Sequence, residues 1–161
     1  MGDYARRLRD RPFDLVLVIF FAIFAFTSLV MEMYIVFGVD LRRASDPLGR
    51  LWHFYAARWD PLFLDTPLYL KVMCGIDGFL FGPFYLVLIY AFARSRDWIR
   101  VPALLFVAAI VYSTLVYFAV ELLGEAHRAD LLMVVLVNVP YTIVPLLLAY
   151  RVRQARPFGV G

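Results

Sequence analysis

Four long apolar blocks, at roughly 13–39, 67–93, 101–124 and 131–150, constrain this chain more than any other feature. Crossing ~30 Å of hydrocarbon at 1.5 Å per residue takes ~20 residues of helix, and each block reaches or exceeds that length. Backbone amides in hydrocarbon have no water to bond to, so a helix is the conformation open to each block. Composition agrees, since 63% of the 161 residues are hydrophobic, well above the half-apolar balance of a soluble domain. The expected fold is therefore an all-α integral membrane protein, a four-helix bundle forming one domain over residues 1–161.

The first block is too long for the apolar core of a cleaved signal peptide, and no small-residue cleavage site follows it. The single cysteine, Cys74, falls inside a span and has no partner for a disulfide. No CxxC, HExxH, Walker or GxGxxG pattern occurs, and the two histidines lie in loops. Neither a metal site nor a cofactor is expected.

Charge is informative by location. Arg6, Arg7, Arg9 and Arg11 precede span 1, Arg94, Arg96 and Arg100 join spans 2 and 3, and Arg151, Arg153 and Arg156 follow span 4. These segments share one side, which the positive-inside rule assigns to the cytoplasm together with both termini. On the opposite side Arg42, Arg43, Arg50, Arg58 and Arg128 are diluted among Asp40, Asp46, Asp60, Asp65 and Asp130. The arginines read as topology and headgroup anchors, and no nucleic-acid partner is expected. The connection after span 1 contains "SDPLGRLWHFYAARWD", where Ser45 or Asp46 offers an N-cap and Pro47 a first helical residue. Leu48, Leu51, Trp52 and Tyr55 recur at helical spacing, so a short amphipathic helix is expected at the interface. The other connections are short, which makes consecutive spans antiparallel neighbours.

Within the spans lie Glu32, Asp77, Glu121 and Asn138. Counted from the ends of their blocks, Glu32, Asp77 and Asn138 sit at depths of roughly 10, 15 and 10 Å. Carboxylates cost several kcal/mol in hydrocarbon unless compensated, so the three groups are expected to converge on one cavity opening toward the loop 1–2 side. Two carboxyls sharing a low-dielectric site cannot both ionise easily, leaving one proton donor and one anion. Such a pair suits proton transfer through a carbocation or the binding of a hydrophobic amine. Tyr112, Tyr117, Tyr141 and Phe81 offer ring faces to a cation. Thr114 is a further candidate ligand contact. Glu121, three residues from the end of its span, also reads as an interfacial residue. Asp77 and Asn138 have a structural alternative as interhelical hydrogen-bonding partners. Pro83, Pro140 and Pro145 are expected to kink their spans.

The ordered set "SLVME", "LWHFYAARWDPLFLDTP", "GPFYLVLIYAF", "WIRVPAL", "VYFAVE" and "NVPYTIVPLLL" resembles the EXPERA family, which includes a sterol double-bond isomerase (the emopamil-binding protein) and the sigma-2 receptor. The resemblance runs from about Leu15 to Tyr150. It implies a binding role for Glu32 and Asp77, a structural role for Asp60, a place for Asn138 beside the ligand and for Tyr141 beside a cation, and a homodimer. Ser28 stands where the isomerase has histidine, and Cys74 where it has its second acid, so the resemblance implies ligand contacts at both. Fifteen arginines against one lysine suggest a GC-rich bacterial genome and a bacterial inner membrane (the endoplasmic reticulum if the source is eukaryotic), and hence a terpenoid in place of a sterol. Two functions remain open. One is a lipid-binding chamber whose acids isomerise or cyclise a bound isoprenoid; the other is a non-catalytic binder of sterols and cationic amphiphilic amines. A transporter fits less well, for four spans without an inverted repeat.

Overall fold

The computed structural model describes residues 7–124 and 129–159, so Arg6, Arg128 and part of the span 3–4 connection lie outside the described residues. Among the described residues five helices are longer than a single turn: α1 (Pro12–Val36), α2 (Pro47–Arg58), α3 (Leu68–Ala93), α4 (Asp97–Leu123) and α5 (Leu131–Arg151). All but α2 are long and apolar enough to cross a membrane, and the described residues contain no strand. The four expected spans are present, with ends that differ by up to four residues. Helix α1 stops at Val36 because Gly38 adopts φ +70°, a left-handed conformation that glycine takes without a side-chain penalty. Gly38 N–H then bonds the Ile35 carbonyl at 3.1 Å and Val39 N–H bonds that of Tyr34 at 2.9 Å, satisfying two carbonyls at the helix end.

The amphipathic helix forms as α2. Asp46 is its cap: the carboxylate accepts from Gly49 N–H at 2.9 Å and from Tyr34 Oη at 2.7 Å. Those two bonds hold the Asp46 carboxyl below its usual range, the tyrosine bond contributing most. Leu51 and Phe54 stay exposed, whereas Trp52 stacks on Tyr55 and packs against Phe63.

Neither α1 nor α3 is a uniform α-helix. Each contains one wide turn, Thr27–Met31 in α1 and Asp77–Phe81 in α3, where an N–H reaches back five residues. In α3 the cause is legible. Pro83 has no N–H and its ring crowds the carbonyl four residues earlier, and the wide turn just before it relieves that clash. In α5, Pro140 interrupts the helix at Val139.

The wide turns of α1 and α3 face each other. A Cβ on Gly78 would lie 1.7 Å from Met33 Cε and 3.2 Å from the Ser28 carbonyl oxygen, and one on Gly82 would lie 2.8 Å from Leu29. Glycines four residues apart thus let two backbones approach, as small residues do in membrane helix pairs. Toward the arginine-rich end, Leu17, Phe21 and Phe24 of α1 pack against Tyr85, Leu88 and Phe92 of α3, and Phe106 and Leu148 close the cluster. The aromatic run of α1 is therefore divided: Phe21 and Phe24 are buried, while Ile19, Ile23 and Phe26 face outward.

A fourth intramembrane acid, Asp14, is buried to 2% exposure in the first turn of α1, a residue whose position among arginines the sequence reading did not single out. It joins Arg11 at 2.8 Å and Arg151 at 2.6 and 3.0 Å, tying the start of α1 to the end of α5. The tail folds over both arginines. Arg151 donates to the Pro157 carbonyl at 2.7 Å, and both guanidinium groups lie over the Phe158 ring.

Removing one member of a buried ion cluster leaves the others uncompensated. Asp14→Ala is expected to cost about 3–5 kcal/mol, read as a lowered thermal midpoint in detergent; an unchanged midpoint would contradict the role. Gly78→Val should likewise destabilise by about 1–3 kcal/mol through overpacking. Gly75→Ala, whose added methyl meets nothing within 4 Å, should be neutral or mildly stabilising in the same assay.

Candidate functional site

Between the α1–α3 pair and the α4–α5 pair lies a chamber of about 410 Å³, roofed by α2. Its size falls within the ~300–1,000 Å³ range of small-molecule sites. Glu32 and Asp77 occupy the wall formed by the two wide turns: Glu32 directly follows the one in α1, and Asp77 opens the one in α3. Their carboxyl groups are within hydrogen-bonding reach of each other. One Glu32 oxygen is sealed from solvent with no other partner among the described residues. A regular α-helix would rotate residues after the turn differently, so the extra residue per turn helps set where both acids point.

Asn138 reaches the same chamber from α5, and Tyr141 stands one turn further on, stacked on Phe24 at 4.1 Å with its hydroxyl 2.7 Å from Thr27 Oγ1. Cys74, Thr114 and Tyr117 also line the chamber. Thr114 spends its hydroxyl proton on the Ile110 carbonyl of its own helix, at 2.9 Å. None of the lining residues is Lys, Arg or His, and Lys71 is exposed on α3.

Four expected contacts lie elsewhere. Tyr112 points outward with 71% of its surface exposed. It sits on the lipid-facing side of α4, two residues out of phase with Thr114. Ser28 is buried between α1 and α3, off the chamber wall, with its hydroxyl unpartnered. Phe81 packs edge-on against Phe106 in the core. Glu121 is buried but does not line the chamber; it belongs to a separate group around Asp60.

Asp60 is fully buried where the loop after α2 turns inward. Its carboxylate accepts from Leu62 N–H at 3.3 Å, starting the turn Pro61–Phe63, and from the Tyr117 hydroxyl of α4. Asp130 N–H bonds the Trp59 carbonyl at 2.8 Å, so this loop also touches the start of α5. Burial pushes the Asp60 carboxyl up, against the two hydrogen bonds that lower it. Asn138 Nδ2 donates to the Val134 carbonyl at 2.8 Å and lies 3.3 Å from Tyr55 Oη and 3.5 Å from Tyr117 Oη.

The sequence reading did not assign Tyr55, Thr27, Trp52 or Phe63 to the site. Tyr55 and Trp52 were placed on an amphipathic face, but whether that face met lipid or the bundle was open. The Gly78–Gly82 spacing was an available signal for the close approach that aims Asp77. Nothing in the linear order marks Thr27.

Fold and chamber together define a small integral membrane protein with an internal, acid-bearing cavity roofed by an interfacial helix. Comparison with known proteins makes the class specific: the profile of EXPERA (EXPanded EBP superfamily) matches residues 47–152, and the chain belongs to that family. The match begins at α2, so α1 with Glu32 lies before it. A curated relative, sigma intracellular receptor 2 of Xenopus tropicalis, is 29% identical over 107 residues, covering 60% of this chain and 62% of that protein. The chain thus matches somewhat less than two thirds of that relative's length.

Tyr117→Phe should leave the Asp60 carboxylate short of a donor and cost about 1–3 kcal/mol near neutral pH. Because burial raises the folded-state value of Asp60, the penalty on its ionised form exists above that value and fades as pH falls through it. Thermal unfolding of both proteins at successively lower pH should show the gap narrowing on acidification; a gap that widens would overturn the assignment.

Proposed function

We propose that the chamber binds a sterol- or isoprenoid-like lipid and that Glu32 and Asp77 receive the positive charge of a bound amine or of a cation formed on the lipid. The observation that supports this most directly is the pairing of two carboxyl groups from separate spans on one cavity wall that carries no basic side chain among the described residues. Carboxylates are expensive at membrane depth, and a pair without a counter-ion is explained by a ligand that supplies the charge. The faces of Tyr141 and Tyr117 add aromatic surface on which a cation is favoured. Elsewhere on the wall Met31, Leu70, Met73 and Ile110 suit a hydrocarbon skeleton.

A catalytic reading uses the same two residues. One carboxylic acid adds its proton to a carbon–carbon double bond, and the partner carboxylate removes a proton from a neighbouring carbon. The double bond shifts, the electron count is unchanged, and the pair ends with the single proton it began with. Ser28 stands off the chamber wall, so this chemistry would fall to the acids alone. Both termini are assigned to the cytoplasmic side by the arginine distribution, with the acid pair in the opposite half of the membrane.

Purified protein in nanodiscs is expected to bind a radiolabelled polycyclic tertiary amine, and Asp77→Asn and Glu32→Gln should each weaken binding about tenfold or more. Undiminished binding in both variants would refute the charge-receiving role. Incubation with sterol and terpenoid lipids, followed by mass spectrometry and NMR of extracted products, separates the readings. A shifted double bond lost in both variants supports catalysis; retention of every lipid unchanged supports binding alone.

A further inference from the structure

Thr27 has no part in the acid-pair reading, yet it lines the chamber together with Glu32. In a regular α-helix, side chains five residues apart point roughly 140° away from each other. Here Glu32 N–H bonds the Thr27 carbonyl, five residues back, so one wide turn carries both side chains to the same wall. Phe24, three residues before Thr27 and on the same face, stacks on Tyr141 with ring centroids 4.1 Å apart. Thr27 and Phe24 thus bracket one tyrosine from α5. Phe24 backs its ring, and Thr27 Oγ1 lies 2.7 Å from its hydroxyl.

Counting protons gives that hydrogen bond a direction. Thr27 donates its one hydroxyl proton to the Phe24 carbonyl at 3.0 Å, so Tyr141 is the donor in the 2.7 Å contact. The reverse assignment leaves the tyrosine proton with no acceptor among the described residues, an unfavourable state for a donor inside the bundle. A proton committed to Thr27 is withheld from the acids. One Glu32 oxygen, a single turn away on the same wall, is sealed from solvent and accepts no hydrogen bond among the described residues. It is an acceptor of the kind that a released Tyr141 proton would seek.

We infer that Thr27 is a specificity-determining positioning residue: by accepting the Tyr141 hydroxyl proton, it keeps that proton off the Glu32–Asp77 pair and reserves the carboxyl oxygens for a positive centre. A phenol proton donated to a carboxylate offsets part of the charge that a bound cation would otherwise meet. Donation to Thr27 avoids that competition and leaves the tyrosine ring as aromatic surface on the chamber wall, where a cation is favoured. The choice between a charged and a neutral ligand is therefore sharpened by a residue that carries no charge itself. This rests on the proposed charge-receiving role of the acid pair and adds to it the group that protects that role.

The test compares a polycyclic tertiary amine with the neutral isostere in which carbon replaces nitrogen, each bound to the full chain in nanodiscs near neutral pH. Selectivity is the ratio of the two affinities, so a general loosening of the wall, which weakens both, cancels. Thr27→Val keeps the branched shape and removes the acceptor, and Thr27→Ala removes it with less bulk. Each is expected to lower selectivity for the amine about three- to tenfold, the equivalent of one redirected hydrogen bond. Thr27→Ser restores the hydroxyl and should restore selectivity to within about twofold of wild type. In a Tyr141→Phe background no proton is left to redirect, so adding Thr27→Val should change that background's selectivity by less than about twofold. Unaltered selectivity in both Thr27→Val and Thr27→Ala, a loss that serine does not repair, or an equal loss in the Tyr141→Phe background overturns the inference alone. A wild-type protein that does not prefer the amine, or a preference untouched by Asp77→Asn, overturns the acid-pair reading instead.

Discussion

Everything in the chamber depends on the contact between two wide helical turns, where Gly78 of α3 lies against the Ser28 backbone and the Met33 side chain of α1. In hydrocarbon there is little hydrophobic drive to bring helices together, so close van der Waals approach has to supply the adhesion. Glycine makes that approach possible. The same contact delivers Glu32 and Asp77 to one wall, because both acids sit at the ends of the turns that touch. Adhesion and acid placement are therefore one structural event, and a larger residue at Gly78 would disturb both.

At the two ends of the bundle, polar groups are handled differently. Toward the arginine-rich end, Asp14 is neutralised by Arg11 and Arg151, and the Phe158 ring covers the charges. That cluster joins the first span to the last. At the loop end, Asp60 is held by hydrogen bonds from Leu62 and Tyr117, with no cation paired to it among the described residues. The Glu32–Asp77 pair has neither kind of compensation beyond its own members, and the buried Glu121 beside Asp60 likewise has no partner among the described residues. A closed ion cluster at one end and an open acid pair in the middle are consistent with one part of the protein serving stability and the other serving a ligand.

Much of this was legible from residue order. The number of spans, the interfacial helix with Asp46 and Pro47 at its start, and the oddity of Glu32 and Asp77 are local properties of composition and spacing. Asp14 was not legible as a core residue, since an acid among arginines at a span end ordinarily reads as solvated. Tyr112 and Tyr117 looked equivalent along α4, yet one is exposed and the other lines the chamber. Five residues apart, they fall on different faces of the helix, and no local rule said which face was inner. In the same way Ser28, one turn before Glu32, lies in the α1–α3 seam and not in the cavity.

Hydrocarbon thickness acts on each segment separately, which is why span count and the α2 cap can be read along the chain without knowing any neighbour. The meeting of Glu32 with Asp77, the roofing of the cavity by Trp52 and Tyr55, and the hydrogen bond from Asn138 to Tyr55 are relations between segments far apart in the chain. They arise from helix rotation, and one extra residue in a turn is enough to re-aim every side chain beyond it. Hydropathy cannot report rotation, because four nearly all-apolar helices offer no polar face to mark the outside. Packing had to choose.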